Sequence, residues 1–391
     1  MQRIGYYEFI KNNVTFLGSG SFSVVYLGEY IGKDNKYIKN KTKVAIKIIK
    51  TDKMTNKALD ILDMEINIMG LIKENPHPNI VGCYDIIRKK NETYLILEYC
   101  DSGDLKNIMQ KPIKEKFVQF YFTQLANGLK YLDKHSILHR DIKPRNILLT
   151  NNKKQLKIAD FGFAKKETHN PSLYDTICGS PLYMAPEIIT NKPYNNQIDL
   201  WSIGMILYEL LFGSHPFEYC KNIQELKDNI YTNIEIPPKD TINKDISNEC
   251  IDLLKRLLQP SADSRITWNE FFESPWLQTI KAQQILQTKS SPLAINQSPS
   301  SSPLQTNQLL FGNTPPNNHS VLKTSEMIVI NEYYPEPDQA SIHNTDDDCL
   351  FEMELDDNKL SSDQKKIKVI KIIDRSSVLN ISDNKYDIVD M

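Results

Sequence analysis

The spacing of apolar residues divides the chain into a strand-rich first part and a helical second part. Apolar residues alternate or form short runs in five early stretches, which predicts β-strands at VTFLGSG (14–20), SVVYLGEYI (23–31), KVAIKIIK (43–50), IVGCYDII (80–87) and TYLILEYC (93–100). Residues 56–74 instead repeat apolar positions at helical spacing, and from residue 104 onward the pattern is helical, with 114–135 the longest amphipathic stretch. The pattern predicts an α+β protein in which a small sheet-rich unit with one main helix precedes a larger helical unit.

The character of the chain changes near residue 278. Just before it, Thr267 and Glu270 in ITWNEFF predict a capping box for a late helix. After it, residues 290–318 are rich in Ser, Pro, Asn and Gln and cannot bury a core. Short apolar islands follow among acidic residues. Two interpretations stay open: they bind a partner, for example through Tyr386 and Val389 of YDIV, or they are chance strand propensity.

Composition and charge exclude several classes of protein. The chain has 391 residues, is 40% hydrophobic and carries a net charge of −2. The longest apolar run, 203–212, is too short to span a bilayer, and the N-terminus lacks an apolar signal core, so we expect no transmembrane segment and no secretion. Residues 281–391 hold 10 basic and 16 acidic side chains, an imbalance too small to indicate binding of nucleic acid. Six scattered cysteines suit a reducing compartment, so we expect a cytoplasmic protein and leave the nucleus open.

A series of short motifs follows in an informative order. In LGSGSFSVVY, Gly18 and Gly20 stand where the first two glycines of a phosphate-covering loop belong, whereas Ser23 takes the third place. Downstream the chemistry-bearing residues are Lys47 in VAIK, Asp141, Lys143 and Asn146 in HRDIKPRN, Asp160 in DFG and Glu187 in APE. Each motif is weak alone, but all of them in this order resemble the protein kinase signature over residues 14 to about 278.

The resemblance implies a bilobal fold with ATP in the cleft between the lobes. We expect residues 1–13 to be an N-terminal extension and 14–278 the kinase domain, divided into an N-lobe (14–97), a hinge (98–102) and a C-lobe (103–278). Residues 279–391 are then a mostly disordered tail, Ser/Pro/Asn-rich at first and acidic later. A partner that binds this acidic tail is an open expectation.

The family's mechanism assigns a role to each motif residue. Lys47 would bind the α- and β-phosphates of ATP and be held by Glu65, which we prefer to Asp63 and Glu74 because its face of the helix should meet the sheet. Asp160 would bind Mg²⁺, with Mn²⁺ as an alternative ion. The other assignments are Asn146 for a second metal contact, Asp141 as catalytic base and Lys143 as a point charge near the transferred phosphate.

The predicted ATP site extends from the glycine loop to the hinge. It comprises Leu17, Gly18, Ser19, Gly20, Ser21, Phe22, Ser23, Val24, Val25, Ala45, Lys47, Glu65, Leu97, Glu98, Cys100, Asp104 and Leu148. Among these, Glu98 and Cys100 are expected at the hinge and Asp104 near the ribose. We interpret GSGSFS as a working variant of the loop, because a small serine should fit the return strand with little strain.

Further family features indicate the substrate and the regulation. Lys143 after HRD, and Ser180 before APE, are typical of enzymes that modify Ser and Thr. Arg140 in the family binds a phosphate on the activation loop, and Thr176 is the best acceptor for it, ahead of Thr168 and Ser172, with Lys165 as a further contact. Asp199 resembles the helix aspartate that braces the catalytic loop, and Glu187 with Arg265 the family's long-range ion pair.

Within the protein kinase family, several short sequence stretches are most similar to the ULK kinases, which initiate autophagy. FGFAK together with CGSPLYMAPE carries this resemblance, although Ile142 and Arg145 depart from the usual leucine and glutamine. Arginine-directed kinases commonly have glutamate at the place of Arg145, so we expect no preference for arginine just upstream of the acceptor. The alternatives are a Ser/Thr kinase of the calcium- and energy-sensing group and a pseudokinase scaffold.

Overall fold

The computed structural model describes residues 1–20, 22–166, 180–232, 234–237 and 246–278. All of them fall within one compact unit. Ser21, the three predicted acceptors Thr168, Ser172 and Thr176, and the whole tail after residue 278 therefore lie outside the described residues.

A curled sheet of seven antiparallel strands forms the first lobe. Its strands are β1 (Gln2–Ile4), β2 (Tyr7–Phe9), β3 (Phe16–Ser19), β4 (Ser23–Tyr30), β5 (Lys43–Lys50), β6 (Cys83–Arg88) and β7 (Glu92–Glu98). The order across the sheet is β1-β2-β4-β5-β7-β6, and β3 also pairs with β4. On β5, Val44, Ile46 and Ile48 are buried and alternate with less buried neighbours, as a strand with one face on a core requires.

The sheet includes residues that the sequence analysis placed in an extension. β1 and β2 lie before residue 14, and β2 pairs with β4. Ile4, Tyr7 and Phe9 are buried in the same apolar cluster as the first part of β5. The two strands are only three residues long each, which is too short for a hydrophobic period to stand out in the sequence.

The main helix of the first lobe has the bounds that its hydrophobic spacing predicted. Helix α1 (Asn56–Glu74) begins after Thr55, whose side chain accepts a hydrogen bond from the N–H of Ala58 at 3.3 Å. Its buried face includes Leu62, Glu65, Ile66 and Met69. The helix packs beside β6, which turns the Glu65 side of α1 toward the sheet.

Helices dominate the second lobe, as predicted. They are α2 (Glu115–Lys134), α3 (Pro186–Ile189), α4 (Gln197–Phe212), α5 (Ile223–Asn229), α6 (Asn248–Leu257) and α7 (Trp268–Phe272). The short strands β8 (Ile137–Leu138), β9 (Ile147–Thr150), β10 (Gln155–Ile158) and β11 (Lys165–Lys166) form two ladders, β9–β10 and β8–β11. The apolar run of the sequence lies in α4, which is buried from Ile198 to Phe212 and ends at Gly213 with φ 79°.

This arrangement confirms the predicted α+β fold class, with a sheet-rich lobe followed by a helical lobe. It also provides a reason why the fourth predicted strand begins late. Ile80 forms a parallel bridge with Ile158 of β10 in the second lobe, and β6 starts only at Cys83. A search of the described helices finds none with the length and apolar character that a membrane span needs.

The predicted capping box offers a test of local stability. Thr267 accepts a hydrogen bond from the N–H of Glu270, and the Glu270 carboxylate accepts one from the N–H of Thr267 at 2.9 Å. We expect Thr267→Ala to lower the free energy of unfolding by about 1 kcal/mol, because a donor at the start of α7 loses its partner. Thr267→Ser keeps the hydroxyl and should stay close to the native value in urea unfolding. Equal losses in both variants would contradict the capping role.

Candidate active site

One face of the sheet lines the cleft between the lobes. Val25 on β4 lies opposite Lys47 on β5, and Ala45 on β5 lies opposite Leu97 on β7. Directly opposed residues share a face of a sheet, as do residues two apart on one strand. These four side chains are half-buried, whereas Ile46 between them is fully buried on the other face. The residues of the first lobe that were predicted to contact adenine therefore lie on the same face of the sheet, the face that is not covered by the core.

The floor of the cleft comes from the second lobe and the hinge. Leu148 on β9 is half-buried and forms a bridge with Asp104, whose carboxylate accepts the N–H of Asn107 at 3.0 Å. The Glu98 side chain pairs with the buried Lys157 at 2.8 Å and accepts the N–H of Gly82 at 3.1 Å, so groups of the protein itself hold this carboxylate. The Glu98–Lys157 pair is a feature that the sequence analysis missed.

The glycine loop is open above the cleft. The N–H of Gly20 donates to the carbonyl of Ser23 at 2.8 Å and closes the turn. A Cβ added to Gly18 would meet no heavy atom within 4 Å, which leaves room for a ligand next to the main chain. Ser23 on β4 pairs with Ile49 on β5, and its φ is not positive, so its backbone does not require glycine. Leu17 and Phe22 are 42% and 43% exposed.

Lys47 joins two carboxylates that come from different lobes. Its ammonium lies 2.9 Å from an oxygen of Glu65 on α1 and 2.9 Å from an oxygen of Asp160. Burial alone would lower the pKa of Lys47, but the charges of Asp160 and Glu65 outweigh burial and raise it. Lys47 is thus a fixed cation at the back of the cleft.

Glu65 is the partner of Lys47 that the sequence analysis preferred, and the structure places it there. It is 6% exposed. Asp63 lies on the outer face of α1, where it pairs with Arg88 at 2.8 Å and is 59% exposed. Glu74 is exposed at the last residue of the helix. The rotation of α1 against the sheet decides between the three acids.

Asp160 is an ionised carboxylate that faces the cleft. Its side chain is 45% exposed, and its main chain has a left-handed φ of 60°. The charge of Lys47 lowers the pKa of Asp160 to about 2, against the opposing effect of burial. Gly162 follows closely, and a Cβ there would lie 3.3 Å from an oxygen of Asp160. The carboxylate can therefore accept a cation at any pH near neutrality.

Asp141, Lys143 and Asn146 converge in the second lobe. Asp141 is 5% exposed, and one of its oxygens accepts the Asn146 amide N–H at 2.8 Å and lies 3.2 Å from the Lys143 ammonium. Its other oxygen accepts the N–H of Ser180 at 3.0 Å. Asn146 also donates to the main-chain carbonyl of Asp141 at 2.8 Å. The carboxylate is held from three sides in one orientation.

Asp199 holds the main chain just before Asp141. One of its oxygens accepts the N–H of His139 at 2.8 Å and the other accepts the N–H of Arg140 at 3.0 Å. Burial raises the pKa of Asp199. Arg140 has a φ of 66°, a left-handed conformation that a non-glycine residue adopts only when its surroundings hold it there. The bracing role suggested by the sequence thus has a direct geometric basis.

His139 is a second residue whose position the sequence analysis did not interpret. Its Nε2 lies 3.0 Å from the carbonyl of Ala159, and its Nδ1 accepts the N–H of Asp141 at 3.4 Å. The ring is fully buried and links the residue before Asp160 to the catalytic loop. The Glu187–Arg265 ion pair, also predicted from the sequence, is buried and bidentate, at 2.8 and 3.0 Å.

Comparisons with known proteins agree with this geometry. The model of the protein kinase domain matches residues 12–277. A putative serine/threonine-protein kinase, R517/R518 of Acanthamoeba polyphaga mimivirus, is 38% identical over 68% of this chain and 62% of its own length. ATG1c of Arabidopsis thaliana is 41% identical over 67% of this chain and 34% of its own, and human ULK3 is 38% identical over 67% and 53%.

The chain spans from about a third to about three fifths of the length of these relatives. The names of the relatives confirm the predicted similarity to ULK-type kinases. The fold, the site geometry and the matched region lead to the same conclusion: the chain belongs to the protein kinase family.

Proposed function

We propose that this protein is a serine/threonine kinase that transfers the γ-phosphate of ATP to hydroxyl groups of protein substrates. The observation that carries the proposal is Asp141, a buried carboxylate fixed by Lys143, Asn146 and the main chain of Ser180. Phosphoryl transfer needs positioned groups and charge neutralisation more than covalent help. A scaffold without activity would have no need to hold a carboxylate in this way.

In this proposal Asp141 is the catalytic base. It accepts a hydrogen bond from the substrate hydroxyl, orients the oxygen toward the phosphate and takes its proton. The contacts from Asn146 and Ser180 keep the carboxylate from rotating. Lys143 lies beside it and supplies a positive charge near the phosphate during transfer.

ATP would lie between the two faces of the cleft. The adenine fits between the aliphatic side chains of Val25 and Ala45 above and Leu148 below, with the main chain of Glu98 and Cys100 at the hinge. Asp104 lies next to Leu148 and would bind the ribose. The main chain of the glycine loop and the Lys47 ammonium would hold the phosphates.

The same site fits a divalent cation, Mg²⁺ or Mn²⁺. Asp160 supplies an ionised, accessible carboxylate. Asn146 uses its amide nitrogen on Asp141, so its amide oxygen remains as a metal ligand. When bound, the cation neutralises charge on the β- and γ-phosphates.

Two residues support selectivity for serine and threonine. Lys143 follows Asp141 closely, and Ser180 lies on the other side of the same carboxylate. In the protein kinase family, a lysine and a serine or threonine at these two positions are typical of enzymes that modify serine and threonine. This assignment agrees with the names of the relatives, which are serine/threonine-protein kinases.

The test of the proposal is transfer of labelled phosphate. The full chain is incubated with γ-labelled ATP, Mg²⁺ and a generic Ser/Thr substrate protein, and acid-stable label on serine and threonine is measured. We expect transfer that depends on the divalent cation. A folded protein that binds ATP but transfers no label, also after treatment with an active kinase, would contradict the proposal and favour a scaffold.

We further propose that phosphorylation of Thr176 activates the enzyme. Arg140 directly precedes Asp141, and its Nε–H donates to the carbonyl of Phe163, the residue that follows the DFG motif, at 2.6 Å. Phosphate on Thr176 would add charge-assisted contacts to this region. Thr176→Ala should therefore reduce the transfer rate roughly tenfold or more. Thr168→Ala is the matched control, and a loss in the control alone would contradict the assignment.

Cellular placement and substrates belong to the same proposal. The four described cysteines Cys83, Cys100, Cys220 and Cys250 are free thiols, which fits a reducing compartment such as the cytoplasm. Similarity to ATG1 and ULK kinases favours a signalling role of that type. Protein substrates and a partner of the acidic tail complete the proposal.

A further inference from the structure

A buried carboxylate near the catalytic loop is neutralised by a lysine of the protein itself. Glu209 on α4 is 3% exposed. One of its oxygens accepts from the Lys106 ammonium at 2.7 Å, and the other accepts from the Tyr183 hydroxyl at 2.6 Å. Lys106 belongs to the 3₁₀ turn Leu105–Ile108 and is 49% exposed. The network therefore extends from the core to the surface of the second lobe.

This network lies next to the place that a substrate hydroxyl must reach. The N–H of Ser180 contacts Asp141, and Tyr183 ends the turn Pro181–Tyr183 that follows Ser180. Arg145 approaches from the catalytic loop. Burial and Glu209 raise the pKa of Tyr183, and the nearby charge of Arg145 acts in the opposite direction. A peptide that brings its hydroxyl to Asp141 thus passes close to Tyr183 and its neighbours.

We propose that Lys106 is a specificity-determining residue: it occupies Glu209 and thereby prevents that carboxylate from binding an arginine or lysine of the substrate. The inference rests on the proposed kinase activity. It assigns the enzyme to substrates whose acceptor serine or threonine lacks a basic residue beside it. Lys106 acts on substrate choice through Glu209 and takes no part in phosphate transfer.

The physical argument is the cost of a buried charge that loses its partner. A carboxylate as buried as Glu209 needs cations or donors close to it, because burial removes its hydration. Without Lys106, Glu209 keeps only the hydroxyl of Tyr183. A basic side chain of a bound substrate then becomes the nearest replacement cation, so the site gains affinity for basic peptides.

Arg145 acts in the same direction by a different mechanism. It is an exposed cation in the turn Pro144–Asn146, so it repels a basic side chain through space. Lys106 instead removes the attraction that the Glu209 carboxylate would offer to a basic side chain. The two effects are separable, because only the second depends on Glu209.

The experiment is an arginine scan with the full-length enzyme. A serine peptide with neutral flanks is compared with versions that carry one arginine at each successive upstream position, and kcat/KM is measured for each. For Lys106→Ala, we expect the ratio of kcat/KM for the best arginine peptide over the neutral peptide to rise about tenfold, the effect of one charge-assisted hydrogen bond. Lys106→Arg keeps the cation and should match the native ratio.

Three further variants make the test specific. Lys106→Ala combined with Glu209→Gln should return the ratio to the native value, because the freed charge is gone. Lys106→Gln keeps a hydrogen-bond donor for Glu209 and serves if the alanine variant does not fold, with a smaller rise expected. Lys73→Ala removes a lysine of the exposed Lys73–Asp85 pair in the other lobe and should leave the ratio unchanged.

The outcomes separate this inference from the proposed function. If the native enzyme phosphorylates the neutral peptide and neither Lys106→Ala nor Lys106→Gln raises the arginine ratio, the role of Lys106 is wrong and the kinase activity stands. The same holds if the ratio rises equally in the double variant. If no variant, the native chain included, transfers phosphate to any peptide or protein, the proposed function fails and this inference falls with it.

Discussion

Asp141→Asn is expected to reduce phosphate transfer about a thousandfold and to leave the fold intact. Asparagine has the size of aspartate, and its amide oxygen can still accept the N–H of Ser180. The amide nitrogen, however, cannot accept from Asn146 and cannot take a proton from a substrate hydroxyl. Loss of a positioned general base costs on the order of a hundredfold to ten-thousandfold in rate.

The measurement compares kcat with the binding of ATP in the native chain and the variant. ATP affinity and the unfolding temperature should change little, because the ATP contacts of Lys47 and the glycine loop are unaffected. Asp63→Asn on the exposed face of α1 is the matched control and should keep native activity. An Asp141→Asn variant with more than roughly a tenth of the native rate would show that Asp141 is not the base.

Lys47→Ala is expected to cause the second large loss, through nucleotide positioning and metal binding together. The variant leaves Glu65 and Asp160 close to each other without the cation that now lies 2.9 Å from each. Two carboxylates without a counter-charge repel, and one of them tends to take up a proton. We expect transfer to fall by a factor of roughly a hundred to a thousand, which is typical when a fixed charge is removed from a transition-state site.

The pH dependence distinguishes this mechanism from a simple loss of ATP contact. In the native protein Lys47 holds the pKa of Asp160 at about 2, so the carboxylate is ionised throughout the range above that value and protonates only as pH falls through it. Without Lys47 the pKa of Asp160 rises. Binding of Mn²⁺, followed by paramagnetic relaxation, should then weaken at a higher pH than in the native chain.

A matched lysine provides the control for this variant. Lys73→Ala in the same lobe breaks the exposed Lys73–Asp85 pair, which is 2.9 Å long and surface-located, and should change neither transfer nor the pH profile. Lys47→Arg keeps the charge with a different shape and should retain part of the metal affinity. A Lys47→Ala variant with unchanged metal binding at every pH would contradict the role of Lys47 in ionising Asp160.

Most residues of the site could be predicted from the sequence, because they lie in short local motifs. HRDIKPRN brings Asp141, Lys143 and Asn146 within one loop, and the structure indeed shows them in mutual contact. The helix over 56–74 was also predicted from the sequence, since its hydrophobic period is a local signal. In both cases the residues that interact are neighbours in the chain, so a pattern within a short window contains the information.

Contacts between distant segments had no such signal. Nothing around Lys106 distinguishes it from other lysines on a helical turn, and its partner Glu209 lies in an apolar run of the sequence. Lys157 likewise lies in the strand Gln155–Ile158, and only its pairing with Glu98 explains why it is buried. The physical cause is that a buried charge is tolerated only where a partner arrives from elsewhere in the fold.

The sequence by itself determined the longer elements, the two lobes and the identity of the reactive groups, because hydrophobic period, caps and short motifs are local properties. The sequence also favoured Glu65 as the acid that meets Lys47, and the rotation of α1 against the sheet makes that pairing by burying Glu65 and exposing Asp63. Only the tertiary structure showed that β1 and β2 join the sheet and that Lys106 pairs with the buried Glu209. Those outcomes depend on packing between segments far apart in the chain, because a charged side chain can be buried only where a distant segment supplies its partner.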